Sequence, residues 1–183
     1  MRKQQSGFTI IELVVVIILL GIMAATALPR FMNVTTEAHA SVVEGVQGGL
    51  QSGTALFHAQ WVAKGQPAAG SDIGWDGGLK TDANGYPCGV TCTTVVDAVA
   101  DCTDIYNNLL QAGAPLAVAS GTAPSAGSFG ATADIGVVFD TPNCVYYYIG
   151  EKRAAGDNPP TLTLVPTTGV ITYAAASATV IGA

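Results

Sequence analysis

The sequence predicts an α+β architecture: one long N-terminal spine helix packed on a four-stranded antiparallel sheet, with an extended loop between them that contains a second helix. Three observations predict it. Residues 10–28 form a long apolar run, and a helical repeat of apolar residues carries on beyond it to about Trp61. A second, shorter helical repeat falls between Val95 and Leu110. From Asp134 onward, four short runs rich in Val, Ile, Leu, Tyr and Thr are separated by turn residues. Helix first and meandering strands last is the order expected when helices and an antiparallel sheet are segregated within a domain. A chain of 183 residues allows one such domain plus an appendage.

The first element is the apolar run. From Ile10 to Leu28 the chain has 19 residues whose only charge is Glu12. A helix of that length rises roughly 28 Å, close to the hydrocarbon thickness of a bilayer. Arg2 and Lys3 precede it, so the positive-inside rule leaves the N-terminus in the cytoplasm and everything after Pro29 outside. An ordinary secretory signal has an apolar run of about 7–15 residues and then a small-x-small cleavage site. This run is longer, and residues 23–28 (MAATAL) offer only a poor version of that site. An acid inside a membrane costs roughly 2.5–3.5 kcal/mol when central, less near the interface, and by default marks a function. Gly21 and Pro29 interrupt the apolar helix. Proline removes an i→i−4 hydrogen bond, and glycine costs about 1 kcal/mol relative to alanine.

Beyond Pro29 the pattern turns amphipathic. Phe31, Val34, Ala38, Val42, Val46, Leu50, Leu56 and Phe57 recur at helical spacing, and KGQP at 64–67 ends the run. Phe8 to Ala63 therefore reads as one helix. Ser41, Gly45, Gly49 and Gly53 form a row of small residues at spacing four, which lets another backbone approach closely. That backbone belongs either to a neighbouring subunit or to the chain's own sheet. Residues 64–93 are rich in Gly, Ala, Asp and Pro and read as a loop with turns. Thr94 and Asp97 make a capping box for the second helix, whose apolar positions Val95, Val99, Cys102, Tyr106, Leu109 and Leu110 run until Gly113. Residues 114–132 are low in complexity and read as a surface connection. Strands follow at 134–139, 144–149, 161–165 and 170–174, the last two joined as a hairpin by PTTG.

Composition narrows the function. The formal charge is −6, and from Arg30 onward twelve acids face five bases. An acidic surface repels phosphate, which argues against a nucleic-acid partner. A charged fraction of only 11% suits an exported protein with an uncharged polar surface. No G-x-S-x-G, phosphate loop or H-E-x-x-H supports an enzyme. His39 and His58 fall on the long helix at non-ligand spacing and read as polar-face residues. Asp134, Asp140 and Asp157 lack the regular oxygen spacing of a calcium loop and read as turn residues. Tyr146, Tyr147 and Tyr148 alternate faces on a strand, one side toward the core. Asn33-Val34-Thr35 matches a glycosylation triplet but lies beside the membrane segment.

The stretch GFTIIELVVVIILLG at 7–21 resembles the N-terminus of type IV pilins and the related pseudopilins: a short basic leader ending in glycine, then Phe, Thr, and Glu five residues after the glycine. The resemblance implies cleavage between Gly7 and Phe8 by a prepilin peptidase and N-methylation of Phe8. It divides the chain into a leader at 1–7, a transmembrane and filament-core helix at 8–29, and a globular domain at 30–183. It also implies that the stretch between Gly21 and Pro29 unwinds when subunits pack. Cleavage creates an ammonium at Phe8, and Glu12 is the carboxylate placed to meet it, on the same chain or on a neighbour. Removing one partner of a buried ion pair costs about 3–5 kcal/mol, so the pair would fix the axial height of each subunit.

Four cysteines, at 88, 92, 102 and 144, allow three pairings, and an exported domain meets an oxidising compartment. The pairing expected is Cys102–Cys144 with Cys88–Cys92. DCTDIYNNLL and CVYYYIG, which flank the long bridge, also resemble pilins of the mannose-sensitive haemagglutinin type. A zinc site formed by all four fits the usual ligand spacings poorly. The function these readings imply is the major subunit of a type IV pilus, a helical filament of identical copies used for attachment. Its partners are the prepilin peptidase, an inner-membrane assembly platform, and the inner membrane itself before assembly; no cofactor or metal is implied. A type II secretion pseudopilin, or a minor pilin acting as a tip adhesin, are the alternatives.

Overall fold

The computed structural model describes residues 8–124, 133–150 and 158–176, with the backbone alone at 29–36. The chain divides into two compact units, Met1–Ala38 and His39–Ala183. Helix α1 (Ile10–Ala63) supplies all the described secondary structure of the first. It begins two residues after Phe8, and its backbone remains helical through Gly21 and Pro29, so neither residue breaks it in the single chain. A proline removes only one donor from the ladder. Thr26, a polar residue in the apolar run, returns its hydroxyl to the carbonyls of Met23 and Ile22 at 3.0 and 3.3 Å, which keeps it satisfied without solvent.

The second unit is built on the remainder of α1. Its buried face is Val43, Val46, Leu50, Thr54 and Phe57. Val42 and Leu56, expected in the apolar stripe, are exposed. A strict spacing of four turns about 40° per step around an α-helix, so the inward face must alternate threes and fours. Val43 and Phe57 keep that phase.

Strands β1 (Lys80–Thr81) and β2 (Pro87–Gly89) form a two-stranded antiparallel ribbon inside the long loop. Helix α2 (Val99–Leu109) follows. It starts later than the sequence predicts, and the Thr94–Asp97 capping box does not form. The N-cap is Ala98, with no side-chain cap, and it is the Asp101 carboxylate that reaches back to accept the Asp97 N–H at 3.3 Å. An acid in the first turn serves these free N–H groups directly. The helix also ends at Leu109, short of Gly113.

The main sheet has five strands in the order β3 (Ala117–Ala119), β4 (Ile135–Asp140), β5 (Asn143–Tyr148), β6 (Thr161–Val165) and β7 (Val170–Ala174). The sequence predicts four antiparallel strands, and four are present near the expected places. The fifth, β3, is parallel to β4, with Ala117 opposite Ile135. Three residues within a low-complexity stretch carry no readable alternation, so nothing in the pattern marks them. Residues 125–132 of that stretch lie outside the described residues. Alternate positions Ile135, Val137, Cys144, Tyr146, Tyr148, Leu162 and Leu164 join the buried faces of α1 and α2 in one core.

The row of small residues divides in two. A Cβ on Gly53 would lie 3.0 Å from the Leu109 carbonyl oxygen and 3.1 Å from the Leu109 Cβ, and one on Gly49 would lie 2.6 Å from Leu110 Cδ2. These two glycines therefore admit the end of α2, rather than the sheet. Gly45 meets nothing within 4 Å. Gly45→Ala should raise stability by up to about 1 kcal/mol through helix propensity, whereas Gly53→Val should lower it by roughly 1–3 kcal/mol through overpacking. Thermal unfolding of the detergent-solubilised chain checks both signs.

Candidate functional site

The candidate site is the start and apolar face of α1. A helix start leaves its first N–H groups without intrahelical partners. Here the Thr9 N–H donates to Glu12 Oε2 at 2.9 Å, and the Thr9 hydroxyl donates to the same oxygen at 2.8 Å. The Glu12 N–H donates in return to Thr9 Oγ1 at 3.3 Å. This is a reciprocal capping box. Reading Glu12 only as a counter-charge for the Phe8 ammonium passes over Thr9, although the Thr-x-x-Glu spacing at 9–12 is the signal for the capping box. Gly7, Arg2 and Lys3 lie outside the described residues; Phe8 is almost fully exposed.

From Ile10 to Leu28 the helix is long and apolar enough to cross a membrane. Its large side chains are exposed by 40–82%, on every side. A helix that is apolar all round belongs in lipid or in the core of an assembly, and an uncovered apolar surface of this extent marks an interaction surface.

The second unit holds the other residues the sequence singles out. The structure closes Cys88–Cys92 and Cys102–Cys144, with Cα separations of 5.7 and 5.5 Å, within the ordinary range for a disulfide. The long bridge joins α2 to β5 in the core. Beside it, the buried Tyr146 hydroxyl donates to the Cys102 carbonyl at 3.0 Å, and the Tyr106 and Tyr146 rings lie 5.3 Å apart. Burial pushes both phenols far above their usual range. Tyr147, on the other face of β5, is half-buried.

His39 and His58 are not free polar-face residues. Both are half-buried: His39 Nδ1 lies 2.6 Å from the Tyr148 hydroxyl, and His58 donates to or stacks on its neighbours, with Nδ1 3.2 Å from the Gly85 carbonyl and its ring on Tyr86. Asp134 and Asp140 are exposed, and Asp157 lies outside the described residues. Among the described residues no group of three or more His, Cys, Asp or Glu is arranged to hold a metal.

Two carboxylates of this unit are buried among the described residues, Asp82 and Asp101, at 3% and 2% exposure. Desolvation by burial raises the pKa of Asp101, and the nearby Asp97 charge adds to the rise. The folded chain thus binds this proton more tightly than the unfolded chain, and stability falls as pH rises from the ordinary aspartate value near 4 through the elevated folded value. Asp101→Asn, which keeps an acceptor for Asp97 N–H, should flatten that dependence and raise stability at pH 7. Urea unfolding at pH 4 and pH 7 checks it.

Comparison with known proteins bears on the same N-terminal region. Residues 2–28 match the family described as a prokaryotic N-terminal methylation motif. A type IV narrow pilus major component of Thermus thermophilus is 34% identical over 89 residues, covering 49% of this chain and 75% of that protein. A type IV major fimbrial protein of Dichelobacter nodosus is 32% identical over 106 residues, covering 58% of this chain and 65% of that one. A type II secretion system core protein G of Pseudomonas aeruginosa is 48% identical over 44 residues, but these are 24% of this chain and 31% of that protein. No solved structure matches the chain. With a methylation motif that runs through the exposed apolar helix to residue 28, and with three quarters of a pilus major component matched at 34% identity, the chain belongs to the type IV pilin family.

Proposed function

We propose that this chain is the structural subunit of a type IV pilus, polymerising through α1 into a surface filament used for attachment. The observation that carries this reading is the exposed face of Ile10–Leu28, which only lipid, and then other copies of the same helix, can cover without loss. The segment anchors the chain in the inner membrane with the globular domain, 30–183, on the periplasmic side. A prepilin peptidase removes residues 1–7 by cutting between Gly7 and Phe8, and Phe8 is methylated. An assembly platform then moves the mature subunit from the membrane into the filament, where residues 8–29 form the core.

In that core the Glu12 carboxylate meets the Phe8 ammonium of a neighbour. A subunit docked at the wrong height leaves two charges unpaired in an apolar medium, so the pair selects the register. Gly21 and Pro29 bound the stretch of α1 that unwinds on packing, since both weaken the helix there. The likeness to mannose-sensitive haemagglutinin pilins rests on the two cysteine-bearing stretches alone. The similarity to the secretion-system core protein supports a second reading, a pseudopilin, over a much shorter span. Electron microscopy of sheared surface fractions, with mass spectrometry of the main component, tests the choice. The expected result is long filaments composed mainly of this chain; a chain confined to the periplasm would overturn the pilus reading.

A further inference from the structure

We infer that β7 is a docking strand for the β7 of a second copy of this chain. The two pair antiparallel about a two-fold axis at Thr172, and the Tyr173 side chain of each copy seats in a groove of the other. Strand β7 is an edge: among the described residues no strand pairs with its outer side. Natural edges carry charges, prolines or bulges as guards against such pairing. β7 has none of them, and residues 161–183 hold no charged side chain, in a chain of net charge −6. Ile171 and Tyr173 lie opposite the buried Leu164 and Leu162, so both face the core side of the sheet. Ile171 is 6% exposed and Tyr173 41%, so the core covers the first and leaves the second open. Beside Ile171 a groove of roughly 460 Å³ opens between β7 and α1, with Ala55, His58, Tyr86 and Gly169 in its walls and no Asp, Glu, Lys or Arg. A strand added to a sheet edge takes affinity from main-chain hydrogen bonds and specificity from pockets for alternate side chains. The axis at Thr172 is the register that uses all five residues, Val170–Ala174. It sets Thr172 against Thr172, Val170 against Ala174, and Ile171 against Tyr173. Threonine pairs and aromatic–β-branched pairs are favoured cross-strand contacts, and the incoming Tyr173 arrives beside Ile171, where the groove is. Such an isologous contact closes as a pair. An axis normal to the sheet reverses the part of α1 that lies on it, so the paired copies point opposite ways. On the pilus reading above, they belong to two filaments running in opposite directions, not to neighbours within one.

The test traps the pair in the full chain, in excess detergent under mild oxidation, with the two native bridges verified by mass. Residues directly opposite across two strands lie close enough for a thiol pair to close. Thr172→Cys should give disulfide-linked dimers, whereas Val118→Cys, exposed on β3 at the other edge of the sheet, should give none. Val170→Cys and Ala174→Cys should each stay monomeric alone and link when mixed, because each faces the other across the axis. Positions 170, 172 and 174 are exposed, so these changes leave the core as it is. Adding Thr172→Lys to both members of the mixture should lower its dimer yield roughly tenfold, as two ammoniums then meet on the axis. Tyr173→Ala in both should lower it by about the same factor through the emptied groove. Dimers no more abundant from Thr172→Cys than from Val118→Cys, as when another part of the chain covers the edge, overturn the proposal. A mixture that fails to link denies the register and overturns it too, as does a yield indifferent to Thr172→Lys or to Tyr173→Ala. Cells that express the wild-type chain and make no filament would overturn the pilus reading alone, since the pairing in detergent does not depend on it.

Discussion

Replacing Glu12 by alanine will leave the processed chain in the membrane and strip the cell surface of filaments. The substitution relieves an insertion cost, so membrane residence is expected to be at least as good as in the wild type. On the assembly proposed above, what it removes is the anionic half of a pair between docked subunits. Leaving the other charge buried and alone costs about 3–5 kcal/mol at each contact, which corresponds to roughly two to four orders of magnitude in the equilibrium for adding a subunit. A growing end repeats that penalty with every copy. Immunoblots of sheared and membrane fractions measure the effect. Glu12→Gln should fall between the two, since the amide still accepts from the Thr9 N–H and hydroxyl but carries no charge. A normal fibre yield from the alanine variant would sink the pairing account.

Removing the Cys102–Cys144 bridge is expected to cost the second unit about 4 kcal/mol by the loop-closure relation, given a sequence separation of 42. The same relation assigns the Cys88–Cys92 bridge, at a separation of 4, only about 2 kcal/mol. Double alanine variants of each pair, unfolded thermally in detergent, should therefore differ clearly. For a chain of this size the long-bridge variant should melt roughly 8–16 °C below the wild type. The location of the bridge adds to the contrast, because Cys102 and Cys144 are fully buried and pack beside Tyr106 and Tyr146. Equal losses from the two pairs would show that the bridges act through native-state strain or packing rather than through the unfolded chain.

Most of this fold is legible because its elements are long or strongly patterned. The apolar run at 10–28 carries its own length scale, and β4 to β7 lie within one or two residues of where Val, Ile and Tyr alternate with turn residues. The features that sequence does not carry are those decided by single contacts. Strand β3 has three residues and exists through pairing with β4, which no local pattern records. The start of α2 is set by Asp101 reaching back to Asp97 from inside the helix, whereas Thr94 resembles a cap and lies outside. Val42 and Val43 are equally apolar, and only the accumulated helical phase buries one of them. At the candidate site the contrast is sharper. Glu12 stands out because a charge in an apolar run is costly. Thr9 does not, because an alcohol there is cheap, and its part emerges only from the three hydrogen bonds it shares with Glu12.

The long disulfide also has a topological consequence. It makes residues 102–144 a covalently closed ring, and that ring contains α2 from Cys102 onward, β3, β4 and the connection between the two strands. A single peptide-bond cut anywhere within it leaves every atom of the subunit in one molecule, so a protease must cut there twice before any piece is released. A displayed domain closed in this way tolerates nicking as damage that stays in place: the surface is scarred, but nothing is shed.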